Sequence, residues 1–255
     1  MAKILAIANQ KGGVGKTTTA QALIAGFSKK GYKILGIDLD PQGNLSDNCG
    51  AENNAAPTVY NLLKGEAEPK EAIQHIDIGG YDIIPSNIML AGAEQELTQI
   101  GKEYRLKKAI EPIVDSYDYI IIDTPPSLGV LTVNAFTVAD EIIIPTTSSI
   151  FATKGIHQLY NTVQDVREFC RSSVEIVGIL MTKHNPRTNV GKQLKEITEQ
   201  IGEHINIPVY NTFIRSAVAV EESQAMSTDI FTYSKTSTVA EDYKKFIVEY
   251  LKEEL

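Results

Sequence analysis

Residues 3–30 constrain this chain more than any other stretch. "KILAIAN" (3–9) is a short, continuously apolar run with the character of a buried strand. A glycine-rich loop follows, and Ala20, Leu23, Ile24 and Phe27 then recur at helical spacing before Gly31 stops the pattern. Strand, glycine loop and helix in that order form the context in which a loop ending in Lys-Thr binds phosphate. Gly12, Gly13 and Gly15 let the backbone of the loop turn its N–H groups inward, and the dipole of the 17–30 helix adds positive potential. Lys16 is expected to reach the β- and γ-phosphates of a nucleotide and Thr17 to ligate Mg²⁺, with Val14 and Thr18 completing the cradle. A glycine-rich turn without ligand is the alternative, and it gives the lysine–threonine pair no purpose. Two details depart from the usual G-x-x-x-x-G-K-[ST] pattern: Gln10 stands where the first glycine belongs, and a second lysine, Lys11, precedes the glycines.

The strand–helix alternation continues. "YKILGID" (32–38), "YDII" (81–84), "YDYIIID" (117–123), "EIIIP" (141–145), "VEIVGILM" (174–181) and "IPVYNTFI" (207–214) read as further strands, and helical stretches fall at about 102–116, 150–170, 188–204 and 236–252. Residues 44–80 carry only weak periodicity. The pattern predicts an α/β fold: one doubly wound, mostly parallel sheet covered by helices, forming a single domain over 1–255. The first strand begins almost at Met1, so no N-terminal DNA-reading extension is expected. The two cysteines, Cys49 and Cys170, support neither a disulfide framework nor a zinc or iron–sulfur site, and a reducing cytoplasm is expected. A net charge of −8 argues against a surface that coats nucleic acid everywhere, though not against a local basic patch.

Open α/β sheets bind ligands at the carboxyl ends of their strands, so carboxylates are sought there. "YIIID" ends on Asp123, a candidate Walker-B residue, and "ILGIDLDPQGN" carries Asp38 and Asp40 at a strand end. "DPQG" also has the composition of a type I turn, so Asp40 has a structural role available as well as a chemical one.

"KGGVGKTTT", "DLDPQGN" and "YIIIDTPPSLG", in that order, resemble the deviant Walker-A ATPases of the ParA partition type, in their short, Soj-like branch. The likeness extends through "IIPSN" (83–87) and "EESQAMSTDIFTYSKTS" (221–237), nearly the whole chain. It implies ATP and Mg²⁺ as cofactors and a role for Lys11 as the signature lysine, which crosses a two-fold interface to the partner's nucleotide in an ATP-dependent homodimer. Lys11, Lys16 and Asp40 would be the catalytic set, with Asp40 orienting or activating the attacking water. Thr17, Asp38 and Asp123 would serve the metal, and residues 38–45 and 123–130 would be switches that sense the γ-phosphate. The resemblance further implies chromosome or plasmid partition: non-specific DNA binding, a nucleoid-associated location and hydrolysis stimulated by a ParB-like DNA-binding adaptor.

The basic island "KHNPRTNVGKQLK" (183–195), with Lys183, Arg187, Lys192 and Lys195 and no acid, is the expected DNA surface, joined by Arg215. A solvated loop and helix face is its alternative. A second arginine common in the family after "IR" is replaced in "FIRSAVAV" by Val218 or a near neighbour, which leaves a weaker or differently placed DNA surface as an alternative; Arg215 remains, with structural or adenine-side roles also open to it. A MinD-like positioning ATPase would need a C-terminal amphipathic helix with a basic face. The 236–252 helix is amphipathic, but the chain ends "KEEL", so packing on the domain is expected and a membrane is not. A ParA-like ATPase that moves non-DNA cargo over the nucleoid remains a further alternative.

Overall fold

The fold is that of a computed structural model describing residues 1–55, 57–147 and 152–253. Its strands are β1 (Lys3–Ile7), β2 (Ile34–Asp38), β3 (Gln74–Ile76), β4 (Tyr81–Ile84), β5 (Tyr119–Asp123), β6 (Glu141–Thr147), β7 (Glu175–Thr182) and β8 (Val209–Phe213). They form one sheet in the order β3-β4-β2-β5-β1-β6-β7-β8. Every pairing is parallel except that of β3 with β4.

Continuous apolarity in the central strands reflects burial on both faces, and alternate residues of a strand feed the two cores. Ile4 and Ala6 of β1 with Ile120 and Ile122 of β5 pack against Leu106, Phe136, Leu159 and Val163 on one side. Leu5, Ile7 and Ile121 pack against Leu23, Ile24, Phe27, Tyr243 and Phe246 on the other. The helices that supply those side chains are Arg105–Ile110, Val130–Val138 and Ala152–Phe169 on the first face, and Lys16–Lys29 and Thr238–Leu251 on the second. Gly26 lets the last two approach: a Cβ there would lie 2.2 Å from Ile247 Cδ1.

Three expectations need adjustment. The antiparallel edge strand β3 lies in the weakly periodic region and has only three half-exposed or exposed residues, too short to signal itself. The helix expected over 102–116 is broken into Lys102–Tyr104, Arg105–Ile110 and Val114–Ser116; Pro112, which lacks an N–H, prevents the middle segment from continuing. The helix expected over 150–170 is Ala152–Phe169, and residues 150 and 151 lie outside the described ones. The C-terminal helix buries Val239, Tyr243, Phe246 and Ile247 on the domain, as its apolar spacing implied, while Tyr250 and Leu251 are half-buried. Among the described residues no helix is long and apolar enough to cross a membrane.

Candidate nucleotide site

The loop after β1 is fixed at both ends. Asn9 donates from Nδ2 to the Pro145 carbonyl (2.7 Å), and its Oδ1 accepts from the Lys11 N–H (3.0 Å). Thr182 Oγ1, at the end of β7, donates to the Val14 carbonyl (2.7 Å). Between these anchors Gly13 and Gly15 take left-handed backbone angles (φ 72° and 82°), where a Cβ would be strained. Gly15 caps the Lys16–Lys29 helix without a side-chain hydrogen bond, which leaves first-turn N–H groups available to an anion. Lys16 is 7% exposed. Burial pulls its ammonium below the ordinary lysine value, and the charges of Asp123 and Asp40 oppose the shift.

Parallel register brings the carboxylates together. Asp123 pairs with Ile7 on one side and Asp38 on the other, so two acids from strands far apart in sequence sit side by side below the loop. Both are fully buried. Burial lifts the Asp38 carboxyl to about 6, against hydrogen bonds from Ser46 and the Asp40 N–H. Burial also lifts Asp123 well above the usual carboxylate range, with the Asp38 charge adding to it and Thr17 and Lys16 pulling it down. The two differ in satisfaction. Asp38 accepts from Ser46 N–H and Oγ (both 2.8 Å) and Asp40 N–H (3.1 Å). Neither Asp123 oxygen has a hydrogen-bond partner of normal geometry.

A buried carboxylate with both oxygens open, beside Thr17 and Asp38, is a hard-oxygen donor set. Among the described residues no cluster of three or more His, Cys, Asp or Glu forms a cage. That combination suits Mg²⁺, which is typically held by one or two carboxylates, water and substrate phosphate. "DPQG" folds as the turn its composition implies. The Gly43 N–H donates to the Asp40 carbonyl (2.9 Å) and the Gln42 N–H to Asp40 Oδ1 (3.0 Å), leaving Asp40 on the cavity wall.

A cavity of about 710 Å³ opens from the loop, walled by Gly12, Gly13, Gly15, Lys16, Thr17, Thr18 and Asp40. The rest of the wall includes Gln42 and Asn44 of "DLDPQGN", Glu221 and Gln224 of the 221–237 stretch, and Asn48 and Tyr243, which lie outside every motif read from the sequence. Gln224 Nε2 donates to Thr18 Oγ1 (3.2 Å), and Thr19 Oγ1 shares a hydrogen bond with Tyr243 Oη (3.1 Å). Those partners are separated by 206 and 224 residues, so nothing local in the sequence points to them.

Lys11 is half-buried at the outer edge of the loop; its side chain makes no ion pair among the described residues and is not part of the cavity wall. The basic island divides. Lys183 is exposed, takes a left-handed backbone angle (φ 50°) and stands on the cavity rim. Arg187 and Lys192 are exposed and free of ion pairs among the described residues, whereas Lys195 pairs with Glu199 at 3.3 Å. Arg215 departs from the expected grouping with Arg187 and Lys192. Its guanidinium donates to both oxygens of Asp242 (2.8 and 2.6 Å) and to the Thr238 carbonyl, on the cavity side. Nε and Nη2 are taken up by that pairing, while the side chain stays 38% exposed.

Residues 2–176 match the AAA domain family. The chain is 41% identical to the sporulation initiation inhibitor protein Soj of Bacillus subtilis, over 95% of this chain and 96% of that protein. It is 37% identical to the chromosome partitioning protein ParA of Caulobacter vibrioides, over 99% and 95%. A solved structure of cobyrinic acid a,c-diamide synthase from Mycobacterium smegmatis, with an ATP analogue and magnesium bound, superposes with a TM-score of 0.87 at 33% identity, covering 99% of this chain and 95% of that one. With its phosphate loop, paired strand-end aspartates and near full-length likeness to Soj and ParA, the chain belongs to the ParA/MinD superfamily of deviant Walker-A ATPases.

Proposed function

We propose that the chain is an ATP- and Mg²⁺-dependent dimeric switch for DNA partition. It would bind DNA non-specifically when loaded with ATP, and a ParB-like adaptor would stimulate its hydrolysis. The observation that carries this reading is the contrast between the two lysines. Lys16 is buried within the field of Asp40 and Asp123, whereas Lys11 is not part of the cavity wall and has no ion pair among the described residues. In an isologous pair Lys11 is free to neutralise the other protomer's triphosphate, which makes ATP part of the interface. The Mycobacterium smegmatis relative, solved with an ATP analogue and magnesium, supports the same cofactors here. Its synthase name raises a metabolic reading, but the partition relatives share greater identity over a comparable span.

In this reading the first-turn N–H groups and Lys16 hold the phosphates, and Thr17, Asp123 and Asp38 hold the metal directly or through water. Mg²⁺ supplies charge neutralisation on the β- and γ-phosphates. Asp40, held by its turn on the cavity wall, orients or activates the attacking water. Loss of the γ-phosphate would release the segments 38–45 and 123–130 and with them the dimer. Arg187 and Lys192 would meet DNA, and the location would be on the nucleoid. The apolar face of the C-terminal helix is packed on the domain, which leaves it unavailable to a membrane.

The test is light scattering with ATP in the presence and absence of duplex DNA. We expect an ATP-dependent dimer that binds DNA, and a Lys11→Ala variant that binds ATP as a monomer but neither dimerises nor binds DNA. An ATP-dependent dimer in that variant would remove the proposed role of Lys11. A wild-type protein that stays monomeric with ATP would remove the switch itself.

A further inference from the structure

Ser46 stands outside the nucleotide cavity and outside every motif read from the sequence, yet it is completely buried between the ends of β2 and β4. Its hydroxyl has two partners, and their chemistry fixes its direction. The Ser86 N–H, just beyond β4, can only donate, so Ser46 Oγ accepts from it (2.9 Å). The single hydroxyl proton then goes to Asp38 Oδ2 (2.8 Å), which also accepts the Ser46 N–H (2.8 Å). The other oxygen, Asp38 Oδ1, accepts the Asp40 N–H (3.1 Å). Asp40 in turn closes the "DPQG" turn onto Gln42 and Gly43. The same neighbourhood is tight: a Cβ at Gly43, which takes φ 65°, would lie 3.0 Å from the Ser86 carbonyl. Ser46 thus ties the turn that carries Asp40 to the ends of β2 and β4.

We propose that Ser46 is a positioning residue for ATP hydrolysis: through Asp38 it sets the backbone of Asp40, and so the aim of the Asp40 carboxylate, without touching the nucleotide. The proposal rests on the reading of this site as an ATPase and adds to it a residue that acts at one remove. A serine at this place could instead serve only to satisfy a buried carboxylate. The two roles separate kinetically. A positioning role lowers the turnover of bound ATP and leaves ATP affinity alone, because the phosphate loop and Lys16 are untouched. A purely structural role either lowers both together or leaves turnover intact in whatever protein folds.

The experiment compares full-length wild type with Ser46→Ala, Ser46→Cys and Ser46→Thr. Single-turnover hydrolysis is measured at saturating Mg·ATP, and equilibrium binding is measured with a non-hydrolysable ATP analogue. Ser46→Cys keeps the size and a weak donor, so it carries the test if Ser46→Ala does not fold. We expect hydrolysis to fall on the order of tenfold or more in the alanine variant and by a lesser factor in the cysteine variant, as misaimed catalytic groups do. Analogue affinity should stay within about threefold throughout, and Ser46→Thr, which restores the hydroxyl, should recover most of the rate. A folded alanine or cysteine variant that hydrolyses at the wild-type rate overturns the positioning role. So does a loss of analogue affinity that matches the loss of rate. A wild-type protein that binds the analogue but never hydrolyses ATP overturns the ATPase reading itself and is recognised before any variant is made.

Discussion

Replacing Arg187 by glutamate on an Asp40→Ala background isolates the electrostatic part of DNA binding, because turnover no longer blurs the equilibrium. Only some of the island's charges are free to meet phosphate. Lys183 stands on the nucleotide cavity and Lys195 is paired with Glu199 at 3.3 Å, which leaves Arg187 and Lys192 in each protomer. A dimer presents both pairs. Each phosphate contact contributes about 0.9 to the slope of log K against log salt, so four contacts give about −3.6 and a loss of about 150-fold in affinity between about 50 and 200 mM salt. Removing both arginines should halve the slope to about −1.8 and the loss to about 12-fold over the same range. The Arg187 side chain is exposed and makes no ion pair among the described residues, so its replacement should move stability by no more than about 0.5 kcal/mol. Fluorescence anisotropy of a random-sequence duplex, titrated with salt at saturating ATP, reads both slopes. Dimerisation by light scattering should be unchanged. An unaltered slope and affinity would refute this assignment of the DNA surface and turn attention to Lys102, Arg105, Lys107 and Lys108. A slope that is the same without ATP would refute the argument that two protomers must act together.

Three further outcomes are expected. Lys16→Ala should lower ATP affinity well beyond about threefold, or roughly 0.7 kcal/mol, by calorimetry; a smaller change would contradict the phosphate-loop assignment. Asp40→Ala should bind Mg·ATP and dimerise but hydrolyse far more slowly, and a wild-type rate of phosphate release would leave Asp40 with its turn alone. The third outcome concerns pH. Burial raises the Asp38 carboxyl to about 6, above its ordinary value near 3.9, so folding favours its protonated form. The stability it contributes is present below about pH 4 and is lost as pH rises through 6, a difference of roughly 3 kcal/mol. A carboxyl-carbon NMR titration of the nucleotide- and Mg²⁺-free protein should give a midpoint near 6, and a midpoint below 4 would show that the Ser46 and Asp40 hydrogen bonds outweigh burial.

Features that depend on neighbours along the chain are legible in its residues. Strand, glycine loop and helix follow from the period of residues 3–30, because apolar runs and left-handed glycines are local requirements. The strand ends at Asp38 and Asp123 were legible for the same reason, since an acid closing an apolar run marks the end of a buried strand. The Asp40 turn was equally local. Tertiary structure decided what depends on pairing across long separations. Parallel register alone sets Asp38 beside Asp123 and leaves one satisfied by Ser46 and the other open. The antiparallel strand β3 exists because β4 offers it an edge, not because three residues prefer to be extended. Arg215 and Asp242 lie 27 residues apart, and Thr19 and Tyr243 lie 224 apart, so their contacts exist only once the C-terminal helix is docked beside the loop helix. That docking needs the space at Gly26, which no period in the sequence announces. Long-range contacts of this kind are fixed by the whole packed core, and no single stretch of chain contains the information to specify them.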